Sequence, residues 1–529
     1  MADKSPQAGL DPASSGVKAG LIVPPTEACS EYSPPPCSMV IFGASGDLVK
    51  RKLIPALLNL FRYNILGKRF FIIGVARTPM ETAAFREAMR QGLADSGHLD
   101  SEAWPRFSEG IFYTHLDYGD TQAYSSLKDL IEEKERSFGT EGNRIFYLAT
   151  PPTVYAPVIE ALGAAGLNSS GSGWTRLVVE KPFGRDSSSA RSLESVVHRV
   201  FEEDQVYRID HYLGKDTVQN IMMLRFANSI FEPVWNRHYI DHIQITAAET
   251  LGVEKRAGYF EQSGVIRDMF QNHMLQLLTI ATMEPPSLYE SGLVTYERLK
   301  VLKALRPLPL DDIDSALVIG QYASGEIDGR PVLSYRDEEG VARDSKTPTY
   351  AAMKLYIDNW RWQGVPFYLR SGKRLKSQAT EVVIKFRRVP HMLFGQMIQG
   401  EIGPNALILR IQPDERVQLK FHTKNPGSKM CLRDVVMDFS YMDGYDGVKM
   451  EAYERVLLDC MLGDKTLFIS SEGMELSWAF LTPLLDLIDK GGPGAPPLDM
   501  YRAGGFGPAM ADELMQSEGR GWRRWRDYE

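Results

Sequence analysis

The hydrophobic pattern of the chain changes near residue 215, and that change limits what it can fold into. Upstream, short apolar runs alternate with helical stretches: "MVIF" (39–42), "FFIIGVA" (70–76), "RIFYLA" (144–149) and "RLVVE" (176–180). Apolar strands without polar alternation are covered on both faces. Separated by helices, they predict βαβ units and a parallel sheet. Downstream, "HIQITAAE" (242–249), "MKLYIDNW" (353–360), "EVVIKFRR" (381–388), "ALILRIQP" (406–413) and "RVQLKFHT" (416–423) alternate apolar and polar residues. Alternation predicts an antiparallel sheet with one face covered, and 406–423 reads as a hairpin around "PDE". The expected fold class is α/β followed by a large, mainly antiparallel β+α part of the α+β type. A chain of 529 residues is too long for one ordinary core. The expected division is a flexible tail over 1–37, rich in Pro, Ser, Ala and Gly, then an α/β domain over 38–209 and a β+α domain over 210–529.

The charge balance removes some partners. A formal net charge of −8 argues against non-specific nucleic-acid binding but permits a small anion in a local basic pocket. Four cysteines, two of them in the expected tail, suit neither a disulfide framework nor a zinc site, and point to a reducing cytosol. No apolar run is long enough to span a bilayer, and the first residues lack the features of a signal peptide. A cytoplasmic protein with no membrane partner is expected.

"FGASGDL" (42–48) lies between an apolar strand and a helical pattern. Gly43 and Gly46 permit a tight turn and close approach of a ligand, and main-chain N–H groups at such a helix start receive a pyrophosphate. Ser45 and Leu48 stand where glycines are usual in the dinucleotide pattern. Taken alone, the turn fits a purely structural junction equally well. The second strand adds to it. "IIGVART" ends on Arg77 and lacks the acid that accepts from the ribose hydroxyls in NAD sites. An arginine suits a 2′-phosphate, which favours NADP and keeps NAD as the alternative; a solvated strand-end arginine is the competing reading. Lys50, Arg51 and Lys52 oppose the helix dipole, a cost that a bound anion would offset.

Three further stretches concentrate chemistry. "VVEKPFG" (178–184) sets Lys181 at the carboxyl end of a strand, where parallel sheets face their ligand crevice; alone, it equally reads as a lysine marking the strand's exit to solvent. "SGVIRDMFQNHMLQLLTIATM" (263–283) is apolar on nearly every side, so it reads as a buried helix. It nevertheless carries Arg267, Asp268, Asn272 and His273, and buried charges need partners or a use; taken singly, His273 also reads as a satisfied core histidine. "RIDHYLGKD" (208–216) packs Asp210, His211, Tyr212 and Lys215 into one segment. Glu249 ends another strand, and "FYLRSGKRL" (367–375) sets Arg370, Lys373 and Arg374 after one.

Together, "GASGDLVKRK", "EKPFG", "RIDHYLGK", "GYFEQSGVIRDMFQNH" and "LRSGKRL" resemble the glucose-6-phosphate dehydrogenase family in order and spacing, over residues 38–490. The resemblance implies a Rossmann-type coenzyme domain followed by a β+α domain that binds substrate and carries oligomer contacts, in a homodimer or homotetramer. It implies His273 as catalytic base, Asp210 as its paired carboxylate, and Lys181 near both substrate and nicotinamide. It implies His211, Tyr212 and Lys215 on the sugar phosphate, and Glu249, Asp268 and Lys373 on the sugar. Gly43, Ser45, Gly46, Asp47, Leu48, Arg77 and Lys181 fall to the coenzyme. The implied reaction is oxidation of D-glucose 6-phosphate at C1 to the 1,5-lactone, the first step of the oxidative pentose phosphate pathway, without a metal. Within "RIDHYLGK", an extended backbone is expected to send Asp210 to the base and His211 to the opposite side.

Overall fold

The computed structural model describes residues 33–394, 403–427, 431–440, 450–492 and 494–524. Most of the expected tail therefore lies outside the described residues. The first strand already begins at Cys37.

In chain order the strands are β1 (Cys37–Phe42), β2 (Phe70–Ala76), β3 (Ile111–His115), β4 (Arg144–Leu148), β5 (Thr175–Val179), β6 (Val206–Ile209), β7 (Ile240–Ala248), β8 (Leu317–Ala323), a short hairpin of β9 (Gly325–Ile327) and β10 (Arg330–Val332), β11 (Tyr350–Tyr356), β12 (Pro366–Gly372), β13 (Ala379–Phe386), β14 (Ala406–Gln412), β15 (Arg416–Lys424), β16 (Leu432–Ser440), β17 (Phe468–Ile469) and β18 (Leu498–Arg502). The first sheet runs β17-β6-β5-β4-β1-β2-β3. Its strands are parallel except β17, which returns from late in the chain to pair antiparallel with β6, Phe468 opposite Ile209. Strands β1, β2 and β4 are buried along their whole length, as unbroken apolar runs require. The strand order reverses between β1 and β4, and ligands of such sheets bind outside the strand ends at that reversal.

The second sheet runs β16-β15-β14-β13-β7-β12-β11-β8-β18 and is mainly antiparallel, with β12 parallel to β7 and β18 parallel to β8. The expected β14–β15 hairpin is present. The expectation of a single covered face needs correction. At the centre both faces are buried, and the polar alternates His242, Gln244 and Thr246 of β7 are almost inaccessible. The end of the chain covers them. Gln244 donates to the Gly521 carbonyl and accepts from the Arg523 N–H, while Arg523 pairs with the buried Glu381. Polar alternation marked a face covered by polar partners, not by water. Arg370 is likewise inside β12 rather than after it. It donates to Thr246 Oγ1 and the Arg523 carbonyl and lies 4.3 Å from the Trp522 ring, a structural role away from the cleft.

The segment 263–283 is not one uniform helix. Gly264 adopts φ 58°, ψ 175° and breaks it from the preceding turn. Ile266–Met274 is π-helical, and Leu275–Thr282 is α-helical. Residues five apart on an α-helix point about 140° away from each other. The wider π turn, bonded i to i+5, brings them toward one side. Asp268 and His273 are five apart, and both reach Lys181.

Candidate active site

Lys181 leaves β5 through a cis peptide to Pro182. Its ammonium donates to the Asp268 carbonyl and to Asp268 Oδ1, each at 3.1 Å, and lies 2.8 Å from His273 Nε2. On the other side of the imidazole, Nδ1 lies 2.5 Å from Asp210 Oδ1. A lysine ammonium can only donate and a carboxylate can only accept. The assignment that follows is Nδ1–H toward Asp210 and a lone pair on Nε2, the tautomer a general base requires.

Charge follows from burial and neighbours. Burial holds the His273 pKa below the usual histidine value; Asp210 works against that and Lys181 with it. Burial acts to raise the Asp210 carboxyl, but the charge and hydrogen bond of His273 bring it down to about 2. Burial also acts to raise Asp268, and Lys181, Lys373 and Arg256 pull it below the carboxylate range. By distance alone Asp210, His211 and His273 could share a cation. Lys181 already holds a positive charge at Nε2, and Asp210 is committed to Nδ1.

The "RIDHYLGK" segment gathers more tightly than an extended strand would. β6 ends at Ile209, and Asp210 to Lys215 turn, with the Leu213 N–H donating to the Asp210 carbonyl and the Tyr212 N–H to Asp210 Oδ1. His211 therefore does not face away from the base. Its ring lies 4.8 Å from that of His273, and the Tyr212 ring stacks on His273 at 4.1 Å. Lys215 lies 4.4 Å from the Tyr212 ring and donates to Gln412 Oε1; burial lowers its pKa to about 8. Glu249 pairs with Lys373.

A cleft of about 1110 Å³ is lined by Glu249, Asp268 and Lys373 on one side and by Asp47 and Arg51 on the other. It joins the expected sugar positions to the expected coenzyme turn. Of the expected coenzyme turn only Asp47 lines it, and Lys181, Asp210, His211, Tyr212, Lys215, His273 and Arg77 are not among its lining residues; Lys181 and His273 adjoin it through their contacts with Asp268 and with each other. At the turn, Gly43 has φ +80°, and a Cβ there would sit 2.4 Å from the Ala149 carbonyl oxygen, so glycine is required. Its N–H donates to the Val75 carbonyl and the Tyr118 hydroxyl. Ser45, Gly46 and Leu48 are partly exposed, as an anion-receiving turn must be. Arg51 pairs with Asp47 at 3.2 Å, so the chain itself offsets part of the positive charge at this helix start. Arg77 is exposed at the end of β2, 5.8 Å from the Tyr118 ring, with no carboxylate within 4.0 Å among the described residues.

Sequence reasoning passed over the support behind Lys181. Glu180 is half-buried and its pKa is raised by desolvation; it accepts from Tyr147 at 2.6 Å and Tyr453 at 3.2 Å. Tyr453 belongs to the helix Ala452–Leu462, far along the chain, so no local pattern could reveal it. Gln412 was missed for the same reason, whereas Glu180 stood inside the quoted "VVEKPFG". Conversely, Arg267 turns away from the site to Asp489 at 2.5 Å.

A doubly wound parallel sheet with a required glycine at its reversal point, facing a Lys–His–Asp array, defines the class of nicotinamide-coenzyme dehydrogenases. The family model described as glucose-6-phosphate dehydrogenase, NAD binding domain, matches residues 40–220, and that for the C-terminal domain matches 222–523. The glucose-6-phosphate 1-dehydrogenase of Aggregatibacter actinomycetemcomitans is 48% identical over 488 residues, 92% of this chain and 97% of that protein. That of Bacillus subtilis is 40% identical over 491 residues, 92% and 98%. A solved structure of glucose-6-phosphate dehydrogenase in complex with its substrate glucose-6-phosphate superposes with a TM-score of 0.85 at 37% identity, covering 93% of this chain and 99% of that one. This chain belongs to the glucose-6-phosphate dehydrogenase family.

Proposed function

We propose that the chain oxidises D-glucose 6-phosphate at C1 to 6-phospho-D-glucono-1,5-lactone with NADP as coenzyme. The observation that carries the reading is the line Lys181–His273–Asp210 at the crevice of the parallel sheet. When bound, NADP supplies the hydride acceptor for the hydrogen leaving C1. His273 Nε2 takes the C1 hydroxyl proton, and Asp210 holds the tautomer and stabilises the imidazolium. Lys181 moves from Nε2 to the C1 oxygen and orients it. Lys215, His211 and Tyr212 hold the phosphate, and Glu249, Asp268 and Lys373 the sugar hydroxyls. Gly43, Ser45, Gly46, Asp47 and Leu48 receive the pyrophosphate. Arg77 meets the 2′-phosphate, and its exposed, uncommitted guanidinium supports that fit. Residues 38–209 form the coenzyme domain and 210–529 the substrate domain in this reading. The enzyme works in the cytoplasm as a homodimer or homotetramer.

Initial rates of reduction of NADP and NAD, with glucose 6-phosphate and then glucose, test the reading. Rapid reduction that needs the phosphate and prefers NADP is expected. Equal rates with both sugars would overturn the substrate assignment.

A further inference from the structure

Arg298 lies in the helix Ser291–Lys303, outside the cleft, and is 4% exposed. A buried guanidinium is costly to desolvate and normally takes a carboxylate partner. Among the described residues, no carboxylate lies within 4.0 Å of Arg298. Its contacts are neutral oxygens. Nη1 donates to the Thr466 carbonyl at 3.1 Å and the Phe468 carbonyl at 3.2 Å, and Nη2 donates to Gln276 Oε1. Nε has no partner among the described residues.

Gln276 belongs to the helical run that carries His273, and Phe468 to the strand paired with β6, which leads into Asp210. Gln276 follows His273 by three residues on the same helical run and is itself 2% exposed. Phe468 is the β17 residue paired with Ile209, the neighbour of Asp210. One guanidinium therefore ties the helix of His273 to the strand edge of Asp210. Asp210 keeps an unpartnered buried oxygen, Oδ2, and is the carboxylate whose field reaches Arg298. Burial lowers the Arg298 pKa to about 10, which leaves it charged at neutral pH.

We infer that Arg298 is a positioning residue for the reaction, holding Asp210 and His273 in register and keeping a positive charge, with no carboxylate in contact, behind them. The inference rests on reading these two residues as the acid–base pair. Lys181 opposes and Asp268 favours a positive charge on His273, and His211 and Lys215 lie in the turn after β6; the Arg298 charge, which couples to Asp210, would add to that of Lys181. Two effects follow. The tether keeps Nε2 aimed at the substrate oxygen, which bears on kcat rather than KM. The charge disfavours imidazolium, so the base stays competent to lower pH; charges in a low-dielectric interior act over several ångströms.

Arg298→Met, Arg298→Lys and Gln276→Leu test the inference through the pH dependence of kcat/KM, which reports the base in the free enzyme. Arg298→Met is expected to lower kcat about 10- to 100-fold, with KM for both substrates within about threefold. Its acid limb should move up by roughly half to one pH unit. Arg298→Lys keeps the charge and should keep the parent limb. An unmoved limb in folded Arg298→Met, or equal displacement in Arg298→Lys, overturns the charge role. Should Arg298→Met not fold, Gln276→Leu decides the tether: lowered kcat with parent KM supports it, and parent kcat ends it. His273→Asn, measured alongside, separates the two readings. Full turnover there ends the base assignment itself. An inactive His273→Asn with an unmoved limb in Arg298→Met ends only the role of Arg298.

Discussion

Lys181 Nζ and His273 Nε2 lie 2.8 Å apart, so a cation touches the nitrogen proposed to receive the proton. This contact and burial keep the imidazole neutral, while Asp210 keeps it oriented. A histidine pKa below its usual value means the competent, neutral form persists to lower pH. The acid limb of kcat/KM is expected below the ordinary histidine value of about 6.5. Lys181→Met removes the opposing cation, so the limb should move upward as kcat falls. A pH–rate profile from pH 4.5 to 8 checks both; a limb that moves downward would contradict the electrostatic assignment.

His273→Asn removes the proposed base but keeps a polar side chain. A general base contributes roughly 10²- to 10⁴-fold, so kcat should drop by that order with little change in KM. Steady-state kinetics at pH 8 measure it, and near-parent turnover would exclude His273.

Lys215 is expected to exchange its Gln412 contact for the sugar phosphate. A charge-assisted bond is worth about 1.5–3 kcal/mol, or roughly 10- to 150-fold in affinity. Lys215→Ala should raise KM for glucose 6-phosphate by that factor and leave weak turnover of glucose unchanged. With a pKa brought down to about 8, Lys215 loses its proton as pH rises above that point. In the parent, KM should therefore climb above pH 8, and in Lys215→Ala that climb should be absent.

Arg77 is exposed at the end of β2, near the Tyr118 ring, with no carboxylate within 4.0 Å among the described residues. Arg77→Ala is expected to raise KM for NADP about tenfold or more and to change KM for NAD little. Coenzyme titrations at saturating sugar phosphate give the ratio; equal losses with both coenzymes would place Arg77 on the adenine instead.

Glu381 and Arg523 form an ion pair with both side chains buried. Arg523→Ala leaves a carboxylate stranded inside the second sheet, a loss of about 3–5 kcal/mol. Calorimetry should show a markedly lower Tm, while Glu381→Gln together with Arg523→Met should recover much of it.

Much of the architecture was legible because periodicity reports burial. "FFIIGVA" became β2 residue for residue, and the break from continuous to alternating strands matched the passage from one sheet to the other. Alternation could not say what covers the polar face, and here Gly521 and Arg523 do so across a sequence gap of almost 280 residues. The residues of the dyad were legible because they are concentrated in two short motifs. Their geometry was not. Whether Asp210 and His211 point apart or converge depends on a turn that Tyr212 N–H closes onto Asp210 Oδ1. Whether Asp268 and His273 share a face depends on a π-helical winding that no local propensity announces. The supporting groups Tyr453 and Gln412 arrive from distant elements, and side chains that meet through tertiary packing leave no local signature.

The strand that finishes the first sheet, β17, is translated after nearly all of the second sheet. When the ribosome has released residue 220, β6 still lacks its outer neighbour, and the helix Ala452–Leu462 that holds Tyr453 against Glu180 does not yet exist. The order of synthesis is thus the reverse of modular. The half that is made first waits for the half that is made last, and a nascent or truncated chain ending before residue 469 carries an open sheet edge along β6, the strand that leads into Asp210.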